Sequence, residues 1–130
     1  MNEPNVAESE EKVWHAVYRV PKKNHDAMVQ VCKQFNEMFK KYGGLRLEVF
    51  QLANMNVPTE GITNIANTVS ANQDEEVWVE LQYYGDKKHM DEVCAKLGKD
   101  ENMGRNYKES LDLLTPGSSF IMGEFNRIDV

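Results

Sequence analysis

From Asn24 onward the apolar residues Met28, Val31, Cys32, Phe35, Met38, Phe39 and Tyr42 recur at steps of three or one. Only one face of an α-helix gathers such a series, and Gly43-Gly44 supplies its C-terminal stop. Segments with a period of two flank it. Val13 to Val20 is rich in branched and aromatic residues and ends at Pro21, which has no ladder donor. Leu45, Leu47 and Val49 alternate with Arg46, Glu48 and Phe50. A long amphipathic helix set between two strands restricts the chain to architectures in which a helix covers a sheet.

The second half repeats the arrangement. Val77, Val79, Leu81 and Tyr83 alternate with Trp78, Glu80, Gln82 and Tyr84, which predicts a strand over Glu75–Tyr84. Gly85-Asp86 then caps a helix with the stripe Met90, Val93, Cys94 and Leu97, and a second helical piece carries Met103, Tyr107, Leu111 and Leu114 up to Pro116-Gly117. Ser118 to Ile128, with Phe120, Ile121, Met122 and Phe125, predicts a last strand. Ala53 to Asp74 has no clean period, contains Pro58, Gly61 and several asparagines, and reads as a lid or binding loop with a short strand around Thr63–Val69. The order β-α-β-loop-β-α-α-β predicts an α+β, ferredoxin-like split βαβ sandwich, a four-stranded antiparallel sheet with helices on one face.

At 130 residues the chain suits one domain with its own core. Residues 1–12 carry Glu3, Glu8, Glu10 and Glu11 against Lys12 and are expected to form a disordered acidic tail, leaving 13–130 as the domain. The formal net charge of −6 and the scattering of the lysine pairs 22–23, 40–41 and 87–88 argue against a nucleic-acid partner, which needs a clustered basic face. The opening Met1-Asn2-Glu3-Pro4-Asn5 has no signal-peptide character, no apolar run approaches the roughly 20 residues of a spanning helix, and the two cysteines lack CxxC spacing. A soluble, cytoplasmic protein without membrane contact is expected. Cys32 and Cys94, on helix stripes, read as buried free thiols, and the methionines as core fillers. His25 and His89 read as solvated.

Helices on one face leave the other face of the sheet to be covered. Apolar alternation directs Trp14, Ala16, Tyr18 and Val20, Leu45, Leu47 and Val49, and Val77, Val79 and Leu81 toward the helices. The opposite face then carries His15, Val17, Arg19, Arg46, Glu48, Phe50, Trp78, Glu80, Gln82 and Tyr84. Large aromatics mixed with charges of both signs suit two sheets packed face to face, the logic of a dimeric α+β barrel. Such a homodimer would bury about 800 Å² per partner.

Residues 14–128 resemble the YbaA-like family, small bacterial and archaeal proteins of unknown function placed among the dimeric α+β barrels. The resemblance rests on Val20-Pro21, the run Phe39-Lys-Lys-Tyr-Gly-Gly-Leu-Arg46, Val57-Pro58 with Gly61, Glu75-Glu76-Val77, Tyr84, Asp100 with Met103, and Gly123 with Phe125. The chain departs from the family in having Leu113-Leu-Thr-Pro-Gly-Ser-Ser119 where a basic pair usually precedes the last strand. The wider superfamily includes cofactor-free monooxygenases, haem-degrading enzymes and isomerases, so the resemblance permits catalysis without establishing it.

His15, Arg19, Glu48, Trp78, Glu80 and Tyr84 are the expected ligand-binding residues, with polar groups facing Trp78 and Phe50 as an apolar wall. Without nucleotide or metalloprotease motifs, and with no ligand signature in the spacing of His15, Glu48 and Glu80, neither cofactor nor metal is expected. Two readings stand side by side. One is a homodimeric barrel that binds a small aromatic or anionic molecule between sheet and helices under the Ala53–Asp74 loop, with cofactor-free oxygenase or isomerase chemistry. The other is a non-enzymatic dimer in which the same residues fix the interface and the loop or tail meets a partner protein.

Overall fold

In the computed structural model, which describes residues 11–56 and 59–130, the strands are β1 (Lys12–Pro21), β2 (Arg46–Gln51), β3 (Glu75–Tyr84) and β4 (Ile121–Asn126). The helices are α1 (His25–Lys41), α2 (Ile65–Thr68), α3 (Lys87–Gly98) and α4 (Glu101–Leu113). The strands form one sheet in the order β2-β3-β1-β4, with every neighbouring pair antiparallel. The architecture is the expected ferredoxin-like α+β fold. Of the expected acidic tail, residues 1–10 lie outside the described residues. Lys12 opens β1 instead: it pairs with Tyr84 on one side and Asn126 on the other, and its ammonium donates to Asn126 Oδ1.

Helix boundaries follow their capping chemistry. Asp86 and Asp100 accept from the amides of His89 and Asn102, both at 2.8 Å, and so start α3 and α4. α1 ends in a Schellman turn: Gly43, at φ +96°, donates to Lys40 O, and Gly44 donates to Phe39 O. A Cβ on Gly44 would lie 2.2 Å from the ring of the fully buried Phe39. Gly44→Ala should therefore cost about 1–3 kcal/mol, read as a lower denaturant midpoint with unchanged slope. The short strand expected around Thr63–Val69 is instead the helix α2, because buried Asn64 caps it by accepting from Ala66 N at 2.8 Å.

Cross-strand register fixes the two faces. Trp14 opposes Gln82, Ala16 opposes Glu80 and Tyr18 opposes Trp78, while Leu47 opposes Gln82 and Val49 opposes Glu80. These side chains share the face covered by α1, α3 and α4, with buried clusters around Tyr18, Met28 and Trp78 and around Phe39, Tyr84 and Val93. β1 and β2 thus face as their alternation predicts. β3 is turned over relative to expectation: Trp78, Glu80, Gln82 and Tyr84 point to the helices, and Val77, Val79, Leu81 and Tyr83 lie on the outer face. Alternation separates the two sets without saying which faces inward, and here the helix side needs large rings at the strand's ends and leaves room for polar groups at its middle.

α4 is likewise rotated. It buries Asn106 and Ser110, while Tyr107 and Leu111, expected inside, are exposed. Asn106 Nδ2 donates to Val31 O at 3.0 Å, a buried bond from α4 to α1 that outweighs the apolar preference of the neighbouring positions.

Candidate functional site

A cavity of about 380 Å³ lies between the helix-side face of the sheet and α1, α3 and α4. Trp14, Phe35, Tyr84, Tyr107 and Phe120 give it aromatic walls, and Glu80 and Gln82 stand on its β3 side. Cys94, Gly98, Tyr107 and Met122, all exposed, mark its opening between α3, α4 and edge strand β4. Its size and largely apolar lining with a few converging polar groups are those of small-molecule sites.

The polar groups form one chain. Tyr84 Oη donates to Gln82 Oε1 at 3.1 Å, Gln82 Nε2 donates to Glu80 Oε2 at 2.7 Å, and Tyr18 Oη donates to Glu80 Oε1 at 3.3 Å. Burial raises the Glu80 pKa above the ordinary carboxylate range, opposed by the bonds from Gln82 and Tyr18. Burial, followed by the charge of Glu80, also raises the pKa of Tyr18, so its hydroxyl remains a donor. Cys32, 3.8 Å from Tyr18 Oη, is pushed up to about 11, chiefly by burial and then by Glu80, and is held as a thiol rather than a nucleophilic thiolate.

The six expected site residues are divided between the two faces. Glu80 and Tyr84 line the cavity. Trp78 faces the helices but lines a second, shallower space of about 350 Å³ between α1 and β2, where its Nε1 donates to Glu76 at 2.9 Å. His25 lines that space too and is not simply solvated: its Nδ1 lies 2.7 Å from Glu76, and this bond raises the imidazole pKa. His15, Arg19 and Glu48 are on the outer face. His15 and Glu48 flank Leu81 in one row, two strand spacings or about 10 Å apart. The imidazole packs edge-on to Phe125 at 5.7 Å, and Glu48 pairs with Arg46 at 3.3 Å.

Arg19 has an architectural role. Its guanidinium donates to Ser70 O at 3.2 Å and to Glu75 at 3.3 Å, while Glu75 also accepts from Asn72 N and from Thr115. These bonds tie the 52–74 segment to the outer face, where Ile65, Ala66, Val69 and Ala71 pack on Val17, Val77 and Val79. The described residues of the segment therefore lie on the outer face and do not close over the cavity, as a lid would. Burial opposes ionisation of Glu75, but the bonds from Thr115, Asn72 and Arg19 prevail and hold its pKa below the usual range. A depressed carboxylate stabilises the fold above its unfolded pKa and ceases to do so as pH falls through the folded value. Arg19→Ala should therefore speed amide exchange across residues 65–72 at neutral pH, with a difference from wild type that shrinks in acid.

Away from the described residues of the segment, the outer face is exposed at the edge strands β2 and β4. Successive rows across β2, β3, β1 and β4 read Arg46-Tyr83-Val13-Phe125, Glu48-Leu81-His15-Gly123 and Phe50-Val79-Val17-Ile121. Phe50, Ile121 and Phe125 are each at least 50% exposed. Arg46 stacks over the Tyr83 ring at 3.9 Å.

Sequence reasoning missed the cavity's helix side. Asn106 and Ser110, polar residues inside an otherwise apolar helical stripe, were the signal that α4 meets its neighbours differently. Cys94 is exposed rather than buried, and Met122 lies at the cavity opening rather than in the core. His89 also departs from a solvated reading: Nδ1 accepts from Gly85 N at 2.9 Å while Nε2 lies 2.7 Å from Gly43 O, clipping α3 to the end of α1. Among the described residues no group of three or more His, Cys, Asp or Glu side chains is placed to hold a metal, and no helix is long and apolar enough to cross a membrane.

Several solved structures share the fold at low identity. SnoaB, a cofactor-independent oxygenase from Streptomyces nogalater solved as a mutant, is 11% identical with a TM-score of 0.57, covering 93% of this chain and 96% of that one. A conserved protein from Methanosarcina mazei Go1 is 11% identical with a TM-score of 0.62, covering 96% and 100%. A dimeric ferredoxin-like protein of unknown function from Jannaschia sp. CCS1 is 11% identical with a TM-score of 0.55, covering 89% and 99%. No curated protein matches the chain. The family model described as "Protein of unknown function (DUF1428)" matches residues 12–113.

Proposed function

Since the chain belongs to the DUF1428 family of proteins of unknown function, we propose a reading from its own site: a homodimeric α+β barrel that binds a small molecule in the cavity and exchanges a proton with it through Glu80. The observation that carries this reading is a single buried carboxyl in the wall of a ligand-sized, aromatic cavity, hydrogen-bonded to Tyr18 and Gln82. A carboxyl with a raised pKa is matched to general acid–base work near neutral pH, the cofactor-free kind of chemistry. The YbaA-like resemblance over 14–128 overlaps the matched segment and is part of the same reading, as is a soluble, cytoplasmic protein. Within it the ligand-binding role passes to Glu80 and Tyr84, with Gln82, whereas His15 and Glu48 belong to the dimer face. Arg19 anchors the 52–74 segment, and Trp78 belongs to the second space.

The dimer half is supported by exposed Phe50, Ile121 and Phe125 with half-buried Leu81, apolar side chains on the outer face outside the cluster that the 65–71 residues cover. Amide-resolved NMR titration with small aromatic compounds tests the cavity. Shifts are expected on β3, α1 and α4 around Glu80, Phe35 and Tyr107, undiminished in His15→Ala. Shifts confined to the outer face, or lost with His15, would overturn the assignment and favour the interaction-dimer reading.

A further inference from the structure

Given that cavity reading, we propose that its ligand is an organic ammonium, a protonated amine on an aromatic or branched apolar body. Three observations converge. First, no described side chain lining the cavity is basic, so the one buried acid in its wall lacks a counter-ion. Anionic ligands, allowed by the sequence alone, would meet Glu80 with no compensating charge. Second, Glu80 is hydrogen-bonded in the manner of a carboxylate. Each oxygen accepts one bond, from Tyr18 and from Gln82, and an ionised carboxyl offers about four lone-pair positions, so two acceptor positions are unused.

Third, the rest of the wall is built of rings. Trp14, Phe35, Tyr84, Tyr107 and Phe120 surround the space, and the faces of such rings attract a desolvated cation. Tyr107 and Phe120 stack at 6.1 Å, and Phe120 also packs edge-on to Tyr18 at 4.9 Å, which holds that side of the wall rigid. One anion within an aromatic enclosure complements a cationic head with an apolar body. The chain's overall acidity adds a long-range attraction of the same sign.

The titratable groups facing Glu80 are Tyr18 from β1, Cys32 from α1 and Tyr84 from β3. Cys94 from α3 and Tyr107 from α4 border the same cavity. None is cationic in any state, so no group on this wall opposes a cationic ligand.

The experiment titrates the full chain with phenethylamine, phenethyl alcohol and phenylacetate, one ring system with three head groups, followed by cavity amide shifts. The amine is expected to bind about tenfold or more tightly than the alcohol, and phenylacetate to bind least. Amine affinity should rise as pH increases through the Glu80 titration, with a proton released on binding, while affinity for the alcohol stays flat. Glu80→Gln should remove both the amine preference and its pH dependence. Phe120→Leu, which keeps apolar bulk but removes a ring, should weaken the amine several-fold more than the alcohol, and this second variant serves if the first misfolds.

Equal or better binding of the alcohol or of phenylacetate at the cavity overturns the ammonium assignment and leaves the cavity reading standing. Absence of cavity shifts with all three compounds overturns both.

Discussion

Phe50→Asp should convert the proposed dimer into a folded monomer. Phe50 stands on edge strand β2 beside Val79 and two rows from Arg46, half exposed in the single chain. In a two-fold interface formed by the outer sheet faces, each substitution acts twice, placing two carboxylates in an apolar contact. Loss of an aromatic anchor in such an interface typically costs 2 kcal/mol or more, so a weakening of about 30-fold or greater is expected. Sedimentation at micromolar concentration should report a mass near the 15.0 kDa of one chain rather than twice that, with far-UV circular dichroism unchanged. A wild-type monomer, or a variant that remains fully dimeric, would remove the outer face from the assembly.

Glu80→Gln should stabilise the protein at neutral pH, by about 1–2 kcal/mol or roughly 5 °C in Tm. The sign follows from linkage. Burial raises the Glu80 pKa in the folded state, so the folded chain holds this proton more tightly than the unfolded one. Its contribution is therefore fully present below the unfolded value and is lost as pH rises through the folded one. An amide of the same shape does not titrate, and reversing the Gln82 amide lets it accept from the new donor while turning its own N–H₂ toward Tyr84 Oη. The gain over wild type should shrink as pH falls toward the ordinary carboxylate range. A variant equal to wild type at all pH values would show that Glu80 is not held in an unfavourable ionised state.

Much of the scaffold was legible because its signals are local. The stripe ending in Gly43-Gly44, the acidic cap at Asp86 and the alternation of β1 and β2 each encode their own element, and the topology follows from their order. What escaped is what depends on partners distant in sequence. The apolar set of β3, Val77, Val79 and Leu81, is no more suited to helices than to the outer face. Only packing shows that Trp78 and Tyr84 fit among the rings of α1 and α3. The same inversion took Glu80 from an expected face shared with His15 into the cavity. α4 was misread by the same logic, since a hydrogen bond from Asn106 to Val31 cannot be inferred from either segment alone. Glu80 and Tyr84 were singled out as candidates for their chemistry, but the company they keep was not readable.

β3 has solid neighbours on both sides, with helices over Trp78, Glu80, Gln82 and Tyr84 and an apolar sheet surface bearing Val77, Val79, Leu81 and Tyr83. On the proposed reading, alternate residues of this strand answer to two separate selective demands interleaved at single-residue resolution. Saturation mutagenesis of this strand should give a fitness profile that alternates in kind. Glu80, Gln82 and Tyr84 would respond to ligand supply and Leu81 and Tyr83 to expression level, because association obeys mass action. In descendants of such a gene, either demand can be relaxed without disturbing the other. A lineage can then change what it binds while keeping its oligomer, or change its oligomer while keeping what it binds.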